Sequence, residues 1–415
     1  MGDRHMQPNV LEQILDGSMK PMDLRLALLE NITDNFSVER KIGVGGFGTV
    51  YKGVLRNGNV AVKMMNSHSI DEKPFRREVN SLMKVNHINT VRFLGFCSNT
   101  EHKAIQISGS EEYIFAEIRQ RLLCFEYISN GGLDKHITDE LRGLEWSTRF
   151  DIIKGICEGL QHLHKENGII HMDLKPTNIL LDDQMVPKIT DFGLSRLEEN
   201  SQTMSTHRFL SLGYCAPEYQ FDGKMSLKSD MYSLGVIIIE LVTGRKGIPD
   251  NKNDVLRRWR HRWNRSGNRT PLCYQQVSKC IDIALLCQAK DPYGRPFIWE
   301  IIGDINEMGC KNGKLKDVDE STFDQLSPYL DDDMLVVEPL ELRFACDLNK
   351  KISCSFELTN ETNAYIAFNI ETMSPLPYCT QPEKGVVSPQ SKCSVNVTLK
   401  PHDMFQEISS MHANL

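Results

Sequence analysis

The sequence predicts an α+β chain with a small β-rich lobe, a larger helical lobe and, beyond a polar linker, a separate all-β piece. Three shifts in hydrophobic period carry that reading. Between Ile42 and Lys63, Gly-rich turns alternate with β-branched strand formers; from Ser147 onward apolar residues recur at helical spacing; after about residue 334 strict alternation returns. Period 2 places apolar residues on one face of a strand and period 3.6 on one face of a helix, so each shift marks a change of architecture.

An N-terminal segment, residues 1–35, precedes the small lobe, residues 36–127. In that lobe Phe75, Val79, Leu82 and Met83 fall on one helix face, and the stretch Asn99 to Arg119 reads as an insert that folds back on the lobe without an assigned task. The second lobe, residues 128–308, opens with an amphipathic helix from Ser147 to Glu166, marked by Phe150, Ile153, Cys157, Leu160 and Leu163. Leu227 to Val242 is apolar all round and predicts a fully buried helix, while Cys273, Cys280 and Cys287 recur on one face of another. Residues 309–333 carry three lysines against seven carboxylates and few apolar side chains, so they read as a linker. Beyond it, Leu340/Leu342/Phe344, Ile352/Cys354/Phe356/Leu358, Ile366/Phe368/Ile370 and Cys393/Val395/Val397/Leu399 predict four half-buried strands of an antiparallel domain at 334–401, with 402–415 as a tail.

Composition narrows the function classes. The chain has 415 residues, 40% hydrophobic and 25% charged, enough for two to three globular domains at ~150 residues each. Forty-eight basic against fifty-five acidic residues give a net charge of −7, which disfavours nucleic acid as a partner. The longest strongly apolar run, Leu234 to Val242, is nine residues, where a membrane span needs ~20. Without a secretory leader pattern, and with twelve cysteines but no C-x-x-C pair, the expected setting is the reducing cytoplasm. The sequons at Asn360 and Asn396 are therefore expected to be unused.

The chemistry-bearing residues come in order. Gly43-Val44-Gly45-Gly46-Phe47-Gly48-Thr49-Val50 matches G-x-G-x-x-G-x-V, in which glycines let backbone amides close over phosphates. A dinucleotide-binding unit would need a helix directly after the glycines, whereas Val50 to Leu55 followed by Arg56-Asn57-Gly58-Asn59 reads as a strand entering a hairpin. Lys63 lies on the next strand in Val60-Ala61-Val62-Lys63, and Glu78 on the following helix, a pair suited to holding an ammonium against phosphates. Then follow His171-Met172-Asp173-Leu174-Lys175-Pro176-Thr177-Asn178, Asp191-Phe192-Gly193 and Ala216-Pro217-Glu218.

With these five ordered motifs, residues 36–308 resemble the eukaryotic protein kinases. The resemblance implies the bilobal kinase fold, ATP and Mg2+, and protein substrates bearing Ser or Thr. It makes Asp173 the acceptor of the substrate hydroxyl proton, Lys175 a neutraliser of the γ-phosphate, and Asn178 with Asp191 the magnesium ligands. Lys63 and Glu78 would orient the α- and β-phosphates. The nucleotide would lie under Ile42 and the Gly43–Val50 loop, with Val50 and Ala61 above the adenine, Leu180 below it, Phe125 as gatekeeper and Glu126 to Ile128 as hinge. Phe192, Gly193, Glu218, Asp230 and Arg295 would be structural: Asp230 accepting backbone donors of the catalytic loop, and Glu218 pairing with Arg295.

Lys175 two residues after Asp173 is the Ser/Thr-kinase form, and Asn35-Phe36-Ser37, Phe125 to Leu133 and Gly213 to Tyr219 are most similar to plant receptor-like kinases of the cytoplasmic type. The expected setting is then cytoplasmic or peripheral at the plasma membrane, in signalling or defence, near a membrane receptor kinase. Met172 stands where many kinases carry an arginine that demands an activation-loop phosphate, so a non-RD enzyme independent of that phosphate is expected. Leu210-Ser211-Leu212-Gly213 departs from Gly-Thr-x-Gly. Arg257, Arg258, Arg260, Arg262, Arg265 and Arg269, interleaved with Trp259 and Trp263, read as a solvated face, with an acidic partner or anionic lipid as the other reading.

The β tail resembles a major sperm protein domain, hence a partial immunoglobulin-like β-sandwich, through Leu335 to Phe344, Leu358 to Thr362 and Pro377-Tyr378-Cys379. That family binds acidic, phenylalanine-containing peptides through basic residues; here the surface reads Asn369, Glu371, Leu376, Pro377 and Gln381, so no such binding is expected. Alternation stops after Thr398, which predicts a truncated module with Val395 and Val397 uncovered and little stability of its own. Two rival functions are a pseudokinase scaffold and an adaptor working through the tail.

Overall fold

The computed structural model describes residues 7–399 apart from 47, 67–71, 107–112, 192–195, 198–210, 267–270, 310–334, 340–341, 343–351, 361 and 371–377. The chain separates into two compact units, residues 1–314 and 315–415.

In the first unit, α1 (Gln7–Leu15), β1 (Met22–Asp23) and α2 (Leu26–Ile32) precede the hairpin strands β2 (Lys41–Gly45), β3 (Gly48–Leu55) and β4 (Gly58–Met65), then helix α3 (Glu72–Leu82) and the long strands β5 (Phe93–Gln106) and β6 (Tyr113–Glu126). These form one six-stranded sheet in the order β1-β5-β6-β4-β3-β2, antiparallel except for the β1–β5 pair. Gly48 permits the tight β3–β4 approach that brings the glycine-rich turn over the cleft: a Cβ there would fall 2.2 Å from the Met64 carbonyl oxygen.

Residues 7–35 pack as part of this lobe. Leu11, Ile14, Leu24, Leu28, Leu29 and Ile32 are buried in a core shared with Val60, Val62, Leu94, Leu122 and Cys124 of the sheet. Apolar side chains at helical spacing in both short helices drive this packing, since neither helix is long enough to be stable in water by itself. In its described residues the expected insert does not fold back. Its two arms pair from Asn99↔Gln120 to Gln106↔Tyr113 as a continuation of β5 and β6, and Glu101, His102, Lys103, Glu117 and Arg119 are exposed. Mutual pairing satisfies the backbone groups of both arms without any surface to lean on.

The helical lobe opens with α4 (Trp146–Gln161), followed by a π-turn at His162–Glu166 and the short strands β7 (Ile169–Ile170), β8 (Ile179–Leu181), β9 (Pro187–Ile189) and β10 (Arg196–Leu197). Helices α5 (Pro217–Asp222), α6 (Leu227–Thr243), α7 (Lys252–Ser266), α8 (Pro271–Cys287) and α9 (Ile298–Gly309) complete it. Helix α6 is buried around most of its circumference, starts at a Ser226 capping box and stops at Gly244 in the left-handed region. Cys280 and Cys287 of α8 are buried, as their spacing predicts, and burial pushes both thiols up to about 12. The arginines of α7 divide between solvent and internal ties. Arg257 and Arg260 are exposed, whereas Arg258 pairs with Glu140 at 2.9 Å and Arg262 binds the Glu140, Arg142 and Gly143 carbonyls and the Glu145 carboxylate. Trp259 and Trp263 are core residues. The side chain of Arg265 and all of Arg269 lie outside the described residues.

The second unit contains β11 (Val336–Glu338), β12 (Ile352–Asn360), β13 (Ile366–Asn369), β14 (Tyr378–Gln381), β15 (Lys384–Val387) and β16 (Ser391–Leu399). A four-stranded sheet runs β11-β12-β16-β14, and β13 pairs with β15 in a second. Three expected runs appear as β12, β13 and β16. The first strand lies upstream of the expected Leu340 run, whose Leu340 and Phe344 are outside the described residues. Val395 and Val397 are not uncovered: they are 0% and 7% exposed, on an interior strand flanked by β12 and β14, and Val395 packs with Leu358 and Val387. Two strands that alternation did not reveal, β14 and β15, supply that cover.

Candidate active site

The cleft between the sheet and the helical lobe has a volume of about 850 Å3 and is lined by Ile42, Gly43, Val44, Gly45, Gly46, Gly48, Val50, Ala61, Lys63 and Glu78 above, Glu126 and Ile128 at the side, and Asp173, Lys175, Asn178, Leu180 and Asp191 below. That volume suits a nucleotide-sized ligand. Phe125 also lines it; Phe47, Phe192 and Gly193 lie outside the described residues. Sequence reasoning missed Val91, Asp134, Lys135 and Thr190, which complete the wall between motifs and carry no pattern of their own, and it quoted Thr177 within a motif without giving it a place in the site.

The loop after β7 is held open as a platform by one buried carboxylate. Asp230 on α6 accepts the backbone N–H of His171 at 2.7 Å and of Met172 at 2.9 Å, and binds His164 Nε2 at 2.8 Å. Burial opposes its charge, but the His164 hydrogen bond and the backbone donors outweigh that, so its carboxyl lies below the ordinary range. His171 is itself held at both ring nitrogens: Nδ1 takes the Asp173 N–H at 3.2 Å and Nε2 meets the Thr190 carbonyl at 2.8 Å. Met172 takes φ +69° and Asp191 φ +67°, left-handed values that non-glycine residues hold only when their surroundings over-determine them.

On this platform the polar groups converge. Lys175 Nζ donates to Asp173 Oδ2 at 2.7 Å and to Ser211 Oγ at 2.8 Å, and Ser211 Oγ donates to Asp173 Oδ1 at 2.5 Å. Asn178 Nδ2 reaches the Asp173 carbonyl at 2.9 Å and Oδ2 at 3.0 Å. Ser211 therefore makes the tie between the segment before Ala216-Pro217-Glu218 and the catalytic loop, although Leu210 next to it lies outside the described residues. From the sheet side, Lys63 Nζ donates to Asp191 Oδ1 at 2.5 Å. Burial works against the Asp191 carboxylate, and the Lys63 charge and hydrogen bond more than offset it, leaving its pKa lowered. Glu78 shares the cleft; burial raises its pKa, with the Lys63 charge acting in the opposite direction. Farther out, Arg295 grips Glu218 through two bonds of 2.8 Å and also donates to the Ala289 and Lys228 carbonyls, a bidentate pair that anchors α5.

A lysine on the sheet, a carboxylate–lysine–asparagine group on one loop and a second carboxylate facing the lysine all line one cleft under a glycine-rich turn. The protein kinase domain family matches residues 36–304. The chain belongs to the protein kinase family. It is 40% identical over 292 residues to cysteine-rich receptor-like protein kinase 29 of Arabidopsis thaliana, covering 65% of this chain and 40% of that protein. It is 39% identical over 295 residues to a G-type lectin S-receptor-like serine/threonine-protein kinase, and 34% identical over 343 residues to a probable LRR receptor-like serine/threonine-protein kinase, both of the same plant, covering 66% and 77% of this chain and 34% and 32% of those proteins. The chain thus spans well under half the length of these receptor-like relatives. Residues 334–413 match the MSP (major sperm protein) domain. Among the described residues no helix is long and apolar enough to cross a membrane.

Proposed function

We propose that this kinase is an active, magnesium-dependent enzyme that transfers the γ-phosphoryl group of ATP to Ser or Thr hydroxyls of protein substrates. The observation that carries the reading is the convergence of Asp173, Lys175, Asn178, Asp191 and Lys63 in one cleft beneath the glycine-rich hairpin. Asn178 and Asp191 offer the amide and carboxylate oxygens that a hard cation prefers, and magnesium bound there would neutralise phosphate charge. Lys63 orients the α- and β-phosphates, and Lys175 balances charge at the γ-phosphate. The substrate oxygen bonds to phosphorus as its proton passes to Asp173, and the bond from phosphorus to the bridging oxygen breaks to release ADP. Ser211, bonded to both Asp173 and Lys175, preorganises the loop on the substrate side.

Met172 supports a non-RD enzyme, because the catalytic loop lacks the arginine that would require a phosphate to balance it. The relatives are named receptor-like kinases of a plant, which favours a role in plant receptor-proximal signalling. In the tail, uncharged Asn369 and Gln381 support the reading that it does not bind acidic peptides. The deciding experiment is transfer of label from γ-labelled ATP to a generic acceptor protein with magnesium. Turnover that disappears in Asp173→Ala supports the enzyme; equal labelling by wild type and Asp173→Ala, or none by wild type, points to the pseudokinase scaffold instead.

A further inference from the structure

Helix α1 lies outside the residues matched by the kinase family, yet it ties the β3–β4 turn to Arg92, the residue before β5. Leu11 and Ile14, 0% and 2% exposed, seat it on the sheet. At one end, Glu12 reaches the β3–β4 turn: its Oε1 accepts the Arg56 N–H at 3.1 Å and its carbonyl accepts Asn57 Nδ2 at 2.9 Å. At the other end, Arg92 Nη2 donates to the carbonyl of Leu15, the last residue of α1. A terminal carbonyl has no partner within its helix, and a guanidinium there also meets the negative end of the helix dipole.

The backbone of the same arginine holds the hinge. Arg92 N–H donates to Glu126 Oε1 at 2.9 Å, and Glu126 N–H donates to the Arg92 carbonyl at 3.0 Å. Lys188 from β9 closes on Glu126 Oε1 at 3.2 Å. Glu126 is therefore fixed through backbone and side chain at once, and the residue that fixes it is tethered by its own side chain to α1. We propose that α1 and Arg92 form a brace that positions the Glu126–Ile128 hinge for nucleotide, with Arg92 as a positioning residue that touches no substrate. The inference rests on the nucleotide-binding reading of the cleft given above.

A purely structural role would lower thermal stability without changing nucleotide affinity, so affinity is the deciding readout. In the full chain, Arg92→Ala is expected to raise the Kd and KM for ATP by about tenfold with kcat within about twofold, the size of one lost charge-assisted contact. Arg92→Lys should restore most of the affinity, because an ammonium can donate to the same carbonyl. Leu11→Ala, which loosens α1 without touching the hinge, should raise Kd by about threefold, whereas Leu28→Ala on α2 should lower Tm and leave Kd unchanged. Unchanged Kd in both Arg92→Ala and Leu11→Ala, with wild type binding normally, overturns the brace alone. Should Arg92→Ala fail to fold, Leu11→Ala decides. A wild-type chain that binds no ATP overturns the functional reading and the brace with it.

Discussion

The kinase unit and the tail unit each hang a loop on one buried polar side chain, and they use it for different ends. In the kinase, Asp230 on a helix buried among apolar neighbours holds the His171 and Met172 amides and thereby the catalytic loop. In the tail, Asn360, fully buried at the end of β12, donates to the Ala364, Val387 and Ser388 carbonyls and accepts from the N–H and hydroxyl of Thr362. The kinase group carries charge and sits inside a continuous core that joins both lobes; the tail group is neutral and sits beside a described core of Leu358, Val387 and Val395. A large core can hold an ion whose partners form a working loop, whereas a small one tolerates only a neutral group that ties its own turns. Asn360 also opens a sequon, and in the folded unit its side chain is buried and engaged at both amide atoms.

The largest way to break this contrast is to spoil the kinase site without spoiling its scaffold. Asp191→Asn should lower phosphoryl transfer by about 10^3-fold or more while Tm changes little, since the group faces the cleft. Equal turnover by mutant and wild type would remove Asp191 from the machinery. Next, Asp230→Ala should destabilise the kinase unit by about 3–5 kcal/mol, because two amides and His164 lose their acceptor, and kcat should fall with it. If stability drops and kcat per folded molecule does not, the loop is held by something else.

Asp230 also predicts a pH dependence. Its folded pKa is lowered, so its stabilising contribution is present above the unfolded carboxylate value of about 3.9 and is lost as pH falls through the depressed folded value. Asp230→Asn should accordingly flatten the acid limb of the kinase unit's stability curve, measured by urea unfolding from pH 7 downward. Asn360→Ala is the matching test of the tail: a loss of about 2–3 kcal/mol in the tail's own unfolding transition, with kinase turnover unchanged. Coupled loss of turnover would show that the two units do not act separately. The smallest expected effect is on the activation segment, where Ser205→Ala/Thr206→Ala should keep activity within about threefold, since Met172 leaves no arginine there to be neutralised.

Legibility differed between the two regions for the same reason. The kinase motifs are local strings whose chemistry demands particular residues at short spacing, so Gly43 to Val50, Lys63, Asp173 to Asn178 and Asp191 could be assembled into one site before any contact was known. The tail offered only alternation, which identified β12, β13 and β16 but missed β14 and β15, strands of four residues each that are too short for a period to register. The N-terminal segment was bounded but given no structure, although Leu28, Leu29 and Ile32 stand at helical spacing, because a seven-residue helix gives little pattern. The arginines of α7 were read mainly as a solvated face, and Arg258 and Arg262 turn out to serve the 138–145 loop more than 100 residues away.

By itself the sequence determined the order of lobes, the glycine-rich hairpin, the charged groups of the cleft and the buried character of α6, since each depends on backbone freedom, short spacing or a hydrophobic period. Only the tertiary structure decided which partner each buried polar group takes. Lys63 meets Asp191 across 128 residues, Ser211 meets Asp173 across 38, and Arg92 meets Leu15 across 77. Period and composition specify which face of an element turns inward, but a desolvated donor or acceptor must be matched by whatever group the packed core brings within about 3 Å, and that is a property of the whole fold.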